Sequence, residues 1–335
     1  MRKKFSKYGL DLPILPTTTV GSLPKPPKLK KLRKEHLKGE LNKQDLRAIE
    51  DEATEKWVEI QEDIDLDILV DGEMYRGDMV SFFARNLNGL EIGGLVRSYG
   101  NRYYRKPKII EEIIWDQPVT LDYWKFADSL TDKPVKAIIT GPYTMMDWSF
   151  DEYYHSRKEA CLSFAKVLRN EVESLVDSGA KIIQIDEPAI AVRPGELMDF
   201  VDDAINILTR DLDAYFIIHA CYGTFNEIYP GILDLDCDNL DLELSNDDFR
   251  LADEFDERVH TKDISAGVID VHTREIEDIK VVKSRIENLL EILDSKKVWI
   301  DPDCGLKTRK ENEAREKLAN MVEATKIIRK ELLKS

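Results

Sequence analysis

Short β-branched and apolar runs recur along the chain, separated by stretches long enough for a helix, and each run gives way to polar residues or glycine. They span residues 14–22, 67–73, 135–142, 181–187, 215–221, 240–245, 266–272 and 298–304. Between them the apolar positions change to a spacing of three and four. Trp57, Ile60 and Ile64 precede the second run, and Cys161, Phe164, Leu168, Val172 and Leu175 precede the fourth, where Ser178-Gly179 supplies a helix stop. Eight strands joined by helix-sized connections predict an α/β protein of the (β/α)8 TIM-barrel class, one domain over residues 1–335. A doubly wound open sheet is the alternative. It requires a glycine-rich turn after the first strand, and Val20-Gly21-Ser22-Leu23-Pro24 lacks the later glycines. One stretch breaks the alternation. Residues 74–133 are aromatic and basic in the middle, which predicts an excursion inserted after the second strand, a hairpin or loop over one mouth of the barrel.

Composition narrows the partners. The 335 residues carry 49 Lys and Arg against 65 Asp and Glu, a formal charge of −16 that repels phosphate backbones and anionic lipid, so neither nucleic acid nor a membrane surface is an expected partner. With 42% hydrophobic and 34% charged residues, the chain has enough apolar material for a large core and too much charge for a bilayer. No uninterrupted apolar run reaches the roughly 18 residues of a membrane span. The basic start Met1-Arg2-Lys3-Lys4-Phe5 leads into polar sequence without an apolar signal core, so a cytoplasmic location is expected. The 4 cysteines, Cys161, Cys221, Cys237 and Cys304, are too few and scattered for a disulfide framework and read as thiols or metal ligands.

Each run ends in residues suited to chemistry: Ser22, Glu73, the Gly141-Pro142 turn, Asp186-Glu187, His219 with Cys221, Glu243, His272 and Cys304. In a (β/α)8 barrel the carboxyl ends of the strands converge on one mouth, so residues scattered in sequence become neighbours. His219-Ala220-Cys221 puts two ligating atoms on one face of a strand end, because side chains two apart point the same way. With Cys304 and Glu243 from other strand ends this makes a candidate N, S, S, O set for tetrahedral zinc. Taken alone, His-x-Cys is a weak signal that reads more readily as a core histidine beside a buried thiol, and the two further groups at other strand ends reverse that reading. Cys161, on an apolar helix stripe, and Cys237, in an Asp-rich loop, read as structural. Two thiolates and a carboxylate would leave zinc electron-rich and a poor Lewis acid, whereas hydrolytic zinc sites use mostly neutral ligands and an open water position. Such a zinc suits holding a substrate thiol as thiolate at neutral pH, which implies alkyl transfer to a thiol.

A resemblance rests on these same residues. The segments are Thr17-Thr18-Thr19-Val20-Gly21-Ser22, Asp71-Gly72-Glu73 with Asp78-Met79-Val80, Ser98-Tyr99-Gly100-Asn101-Arg102, and Gly141-Pro142 through Trp148-Ser149-Phe150. They continue with Gln184-Ile185-Asp186-Glu187-Pro188-Ala189, His219-Ala220-Cys221, Glu243, Asp270-Val271-His272, and Asp301-Pro302-Asp303-Cys304 on to Arg309. In this order they resemble the catalytic C-terminal barrel of cobalamin-independent methionine synthase. The resemblance implies zinc held by His219, Cys221, Glu243 and Cys304. It also implies the amino-acid end of homocysteine held by Val20, Gly21, Ser22, Glu73 and Asp186, and His272 as proton donor.

Those roles are chemically sensible. Glu73 and Asp186 suit an ammonium, and the Gly21 and Ser22 donors suit a carboxylate. On the methyl-donor side Arg102, Tyr103 and Trp148 are the candidates, Trp148 offering a flat face to a pterin. The implied reaction is zinc-dependent methyl transfer to L-homocysteine, forming L-methionine, with methyltetrahydrofolate or a methylated corrinoid protein as donor. There are departures. The family's full-length form carries an additional N-terminal domain, for which 335 residues leave no room. Asp71 stands where the family usually has His, Asp147 where it usually has Asn, and Ile190-Ala191-Val192 where an acidic residue usually approaches the pterin. Two other readings remain. One is alkyl transfer to another thiol such as coenzyme M, whose sulfonate Glu73 and Asp186 would repel. The other is a non-catalytic zinc protein that binds a methyl carrier, for which clustered cysteine pairs are absent.

Overall fold

The computed structural model describes residues 3–97, 103–221, 227–247, 249–255 and 257–334, and helices form in it where the three-and-four spacing predicted them. In Lys43–Asp63 the N-cap Asn42 accepts a hydrogen bond from Asp45 N at 2.8 Å, and Trp57 and Ile60 are buried while Ile64 caps the C-terminus. In Arg157–Asp177 the cap is Ser156, and Cys161, Phe164, Leu168, Val172 and Leu175 are all fully buried. Gly179, at φ +107°, turns the chain out of that helix as expected.

The described residues group into two compact units, each assembled from separate stretches of chain. The second comprises Arg76–Asp122 and Ala137–Leu240. Its excursion region forms an antiparallel pair, β1 (Asn88–Arg97) with β2 (Tyr103–Ile114). The central strands are β3 (Ala137–Thr140), then, after the two-residue β4 (Phe150–Asp151) that pairs with β2, β5 (Ile182–Asp186) and β6 (Tyr215–Ala220). β3, β5 and β6 lie side by side and parallel, and every residue in them is buried. Burial on both faces explains why these runs read as continuous apolar sequence rather than alternation. β7 (Asn239–Leu242) carries the chain from the second unit into the first.

The first unit comprises Met1–Tyr75, Tyr123–Lys136 and Asp241–Ser335, with β8 (Asp263–Ile269) parallel to β9 (Val298–Pro302). The runs at 14–22 and 67–73 give single parallel bridges instead of full strands, Thr17 to Ile300 and Leu69 to Val135. Pro13 and Pro16 have no N–H to offer a ladder. Thr17 spends its N–H and its hydroxyl on Asp67 Oδ2, each at 2.7 Å. Left-handed backbone at Leu15, Gly72 and Glu73 bounds the two segments. Parallel order nevertheless continues, with Ile300 N bonded to Pro16 O at 2.8 Å and Ile68 N to Thr17 O at 3.1 Å. The buried Gln61 side chain pairs with both backbone groups of Val70, at 2.9 and 3.0 Å, which fixes the chain just before Glu73. β8 starts earlier than the run at 266–272 and ends at Ile269, so His272 lies in the following loop. No helix among the described residues is long and apolar enough to cross a membrane.

Candidate metal and substrate site

In the second unit the carboxyl ends of three strands fall in register. Thr140 pairs with Asp186 across β3 and β5, and Asp186 pairs with His219 across β5 and β6. The ladder runs one step further, with Gly141 N on Asp186 O at 2.9 Å and Glu187 N on His219 O at 2.8 Å. His219 is the penultimate residue of β6 and Cys221, two residues on, directly follows its end; they are 2% and 4% exposed. Asp186 is equally buried and already engaged. Its Oδ2 accepts from Arg76 Nη2 at 3.2 Å and its Oδ1 from Gln184 Nε2 at 2.7 Å. Sequence reasoning missed both partners. Gln184 was findable, since it sits two positions before Asp186 and shares its face of the strand. Arg76 was not, because it comes from a distant turn with no local pattern.

The Gly141-Pro142 turn and Glu187 form one structural device. Glu187 accepts from Tyr143 N at 2.9 Å, Thr144 N at 2.7 Å and Thr144 Oγ1 at 2.6 Å, satisfying the first turn of the helix Pro142–Asp147. Burial pushes its carboxyl up to about 7 against those three donors, with the nearby Asp186 charge adding to the rise. Only glycine fits at 141, because a Cβ there would lie 2.2 Å from that carboxyl group. The same helix presents Asp147, which accepts from Arg157 Nη2 at 2.7 Å, and then Trp148.

Trp148 is half-buried, with its ring 5.7 Å from that of Tyr104 and its carbonyl 3.3 Å from the Tyr104 hydroxyl, which donates to it. Lys106 Nζ donates to Asp147 O at 3.3 Å and stands 4.5 Å from the centre of the Phe150 ring; burial lowers its pKa. Tyr104 and Lys106 thus join Trp148, whereas Tyr103 is 67% exposed. Arg102, with the motif Ser98 to Arg102, lies outside the described residues.

In the first unit Val20, Ser22 and Glu73 are all buried. Leu23 N bonds Gly72 O at 3.1 Å, tying the segment behind Ser22 to the turn before Glu73. Glu73 itself has left-handed backbone, φ 57°, and its N–H is held by Asp71 Oδ1 at 2.7 Å. So Asp71, where the resembled family has His, acts here as a turn acceptor. Gly305 comes so close that a Cβ on it would stand 1.9 Å from Ser22 Oγ, which brings the loop of Cys304 against Ser22.

Asp303 holds the loop that follows Glu243, accepting from Leu244 N at 3.1 Å, Ser245 N at 2.9 Å and Ser245 Oγ at 2.5 Å. Burial pushes this carboxyl up to about 7, opposed by the Ser245 hydroxyl and backbone donors and helped by the Glu243 charge. The Glu243 carboxylate meets His272 Nε2 at 3.4 Å. That hydrogen bond raises the His272 pKa against a partial burial, and Cys304 and Asp270 push the same way. Glu243, His272 and Cys304 are therefore brought together within this unit. Cys161 is fully buried on its helix stripe, where burial pushes its thiol well up, in keeping with a structural role.

Buried parallel strands joined by helices, with polar and ligating side chains at or just past their carboxyl ends in each unit, are the architecture of an α/β enzyme. Residues 15–327 match the family described as cobalamin-independent synthase, catalytic domain. The methionine synthase of Sulfolobus acidocaldarius is 38% identical over 97% of this chain and 95% of its own length. The 5-methyltetrahydropteroyltriglutamate--homocysteine methyltransferase of Listeria innocua is 36% identical over 98% of this chain, which spans only 45% of that protein. Among solved structures, a B12-independent methionine synthase from Shewanella sp. W3-18-1 in complex with selenomethionine superposes with a TM-score of 0.86. It is 26% identical, with 96% of this chain and 100% of that one covered. The chain belongs to the cobalamin-independent methionine synthase family, and it is a methyltransferase of that type.

Proposed function

We propose that the protein transfers a methyl group to the thiol of L-homocysteine, forming L-methionine, with one zinc held by His219, Cys221, Glu243 and Cys304. The observation that carries this reading is the donor set of a thiol-handling zinc, kept at strand ends in a chain of this family. His219, Cys221 and Cys304 each offer one ligand atom and qualify as a group for a metal ion, and an imidazole with two thiolates and a carboxylate matches the preferences of zinc. When bound, that zinc would keep a substrate thiol ionised near pH 7, where a free thiol of pKa about 8.5 is mostly protonated.

The chain's own residues supply the rest. Glu73 and Asp186 pair with the substrate ammonium, and the Val20, Gly21 and Ser22 segment takes its carboxylate. The homocysteine sulfur forms a bond to the methyl carbon as the bond from methyl to the donor nitrogen breaks. The electron pair goes to that nitrogen, and His272 delivers the proton it needs. Trp148, Tyr103 and Arg102 are the residues assigned to the methyl donor in this reading, and methyltetrahydrofolate is the favoured donor, as the name of the Listeria relative suggests. A methylated corrinoid protein is the alternative donor.

The architecture proposed for this chemistry is a single (β/α)8 barrel over residues 1–335, with 74–133 as an excursion over its mouth. Hydrogen bonds linking Ile300 to Pro16, Thr17 to Ile68 and Leu69 to Pro134 support it, since closure needs strands adjoining in that order. A cytoplasmic setting belongs to the same reading.

The deciding assay offers purified protein homocysteine with either 5-methyltetrahydropteroyltriglutamate or methylcobalamin. Methionine is measured alongside the metal content. Methionine from one donor and about one zinc per chain are expected. Absence of methionine with both donors in zinc-replete protein would reject the reading.

A further inference from the structure

Lys317, in the helix Glu311–Leu332, is fully buried, and no step of the reaction above uses it. Its ammonium donates to Asp270 O at 2.9 Å and to Glu277 Oε2 at 2.6 Å. The other Glu277 oxygen accepts from Asp270 N at 2.8 Å and lies 3.5 Å from Arg285 Nη1. One helical turn past Lys317, Asn320 Nδ2 donates to Glu277 O at 2.8 Å. Residues 270 and 277 are therefore fastened to each other and to the helix. They are the two ends of the loop that carries His272. Inside it Asp270 Oδ1 accepts His272 N at 2.7 Å, and Thr273 Oγ1 accepts Glu275 N at 3.1 Å.

A buried ammonium and carboxylate are both costly to desolvate, and an apolar side chain on this helix face would pack without that cost. What the pair supplies in return is geometry. It closes the loop at its base, so the imidazole reaches Glu243 from a fixed direction. We infer that Lys317 is a positioning residue for His272, acting through Glu277 and the ends of the loop 270–277. The inference rests on the reading of His272 as proton donor.

Lys317→Met keeps the length of the side chain and removes its charge, while Asn320→Ala removes only the bond to the Glu277 carbonyl. Each is made alone and with His272→Asn, then assayed with homocysteine and 5-methyltetrahydropteroyltriglutamate. Amide hydrogen exchange is followed over residues 270–277 in the same proteins. Lys317→Met should lower kcat on the order of 10²-fold, the effect of a misplaced reacting group. It should leave KM for homocysteine and zinc content unchanged, speed exchange in the loop, and cost little further once His272 is gone. Asn320→Ala should show the same pattern more weakly, and it decides the matter if Lys317→Met does not fold. A folded Lys317→Met with unchanged kcat, or one whose loss is as large without His272, overturns the inference, as does Asn320→Ala without any loss when it stands alone. An unchanged kcat in His272→Asn by itself instead removes the proton-donor reading, and the inference falls with it.

Discussion

Asp186 meets two partners before any substrate arrives. Arg76 and Gln184 take one oxygen each, in a setting where all of the side chains are nearly removed from solvent. A carboxylate held this way keeps a fixed direction, which the proposed recognition of an ammonium would use. Replacing it by Asn puts an NH₂ group against either another amide NH₂ or a guanidinium, so the pair is broken as well as the charge removed. Truncating one member of a buried charged pair typically costs about 2–5 kcal/mol. Asp186→Asn is accordingly expected to lower kcat/KM for homocysteine by about 30-fold or more at unchanged zinc content, whereas Cys304→Ser should lose zinc first. Steady-state kinetics with metal analysis on both proteins separates the two roles. Parallel loss of zinc in Asp186→Asn would show that the residue acts on the metal site instead. The position of Asp186 was legible near the end of the apolar run at 181–187; Arg76 was not, since pairing across distant chain leaves no periodicity to read.

At the scale of elements, the sequence marks strands by composition and helices by spacing, and both signals succeed where packing alone decides the outcome. β3, β5 and β6 fall inside the runs at 135–142, 181–187 and 215–221 because they are buried on both faces. The signal weakens where side chains compete for backbone groups. Thr17 with Asp67, and Gln61 with Val70, replace ladder bonds by side-chain bonds, and that chemistry is invisible to a hydrophobic pattern. His272 was expected at a strand end and instead sits in a loop braced by a helix far along the chain. A close approach of loops is equally hard to foresee, and Gly305 against Ser22 is the case that matters for the site. A methyl group at 305 must push the Ser22 hydroxyl aside or shift the loop of Cys304. Overpacking of this kind costs about 1–3 kcal/mol. Gly305→Ala should therefore melt at a lower temperature and show a KM for homocysteine raised by about tenfold. A lowered melting temperature with KM unchanged would dissociate Ser22 from substrate binding.

The molecule as a whole carries a charge of −16, yet particular acids are held by cations rather than left to repel one another. In the first unit Asp65 joins three distant stretches of chain, with Lys133 Nζ at 2.7 Å and Lys326 Nζ at 2.8 Å. Hydrogen bonds from Lys133 and then Lys326 hold its carboxyl down to about 2, below an ordinary value of 3.8. A depressed folded-state pKa means that the unfolded chain binds the proton first. The stability from these pairs is thus fully present above about pH 4 and is lost as pH falls through about 2. Asp65 is largely exposed, so solvent and salt screen the pairs and the gain is modest. Asn is the informative replacement. The backbone at 65 has φ 64°, a conformation Asn tolerates better than most residues, so the substitution tests charge rather than strain. Melting temperatures of Asp65→Asn and the parent protein, measured from neutral pH downward at low salt, should differ above about pH 4 and converge as the pH approaches 2. The gap should also shrink in high salt. A difference that stays constant across that range would mean that Asp65 holds its two lysines by hydrogen bonding that does not depend on its charge.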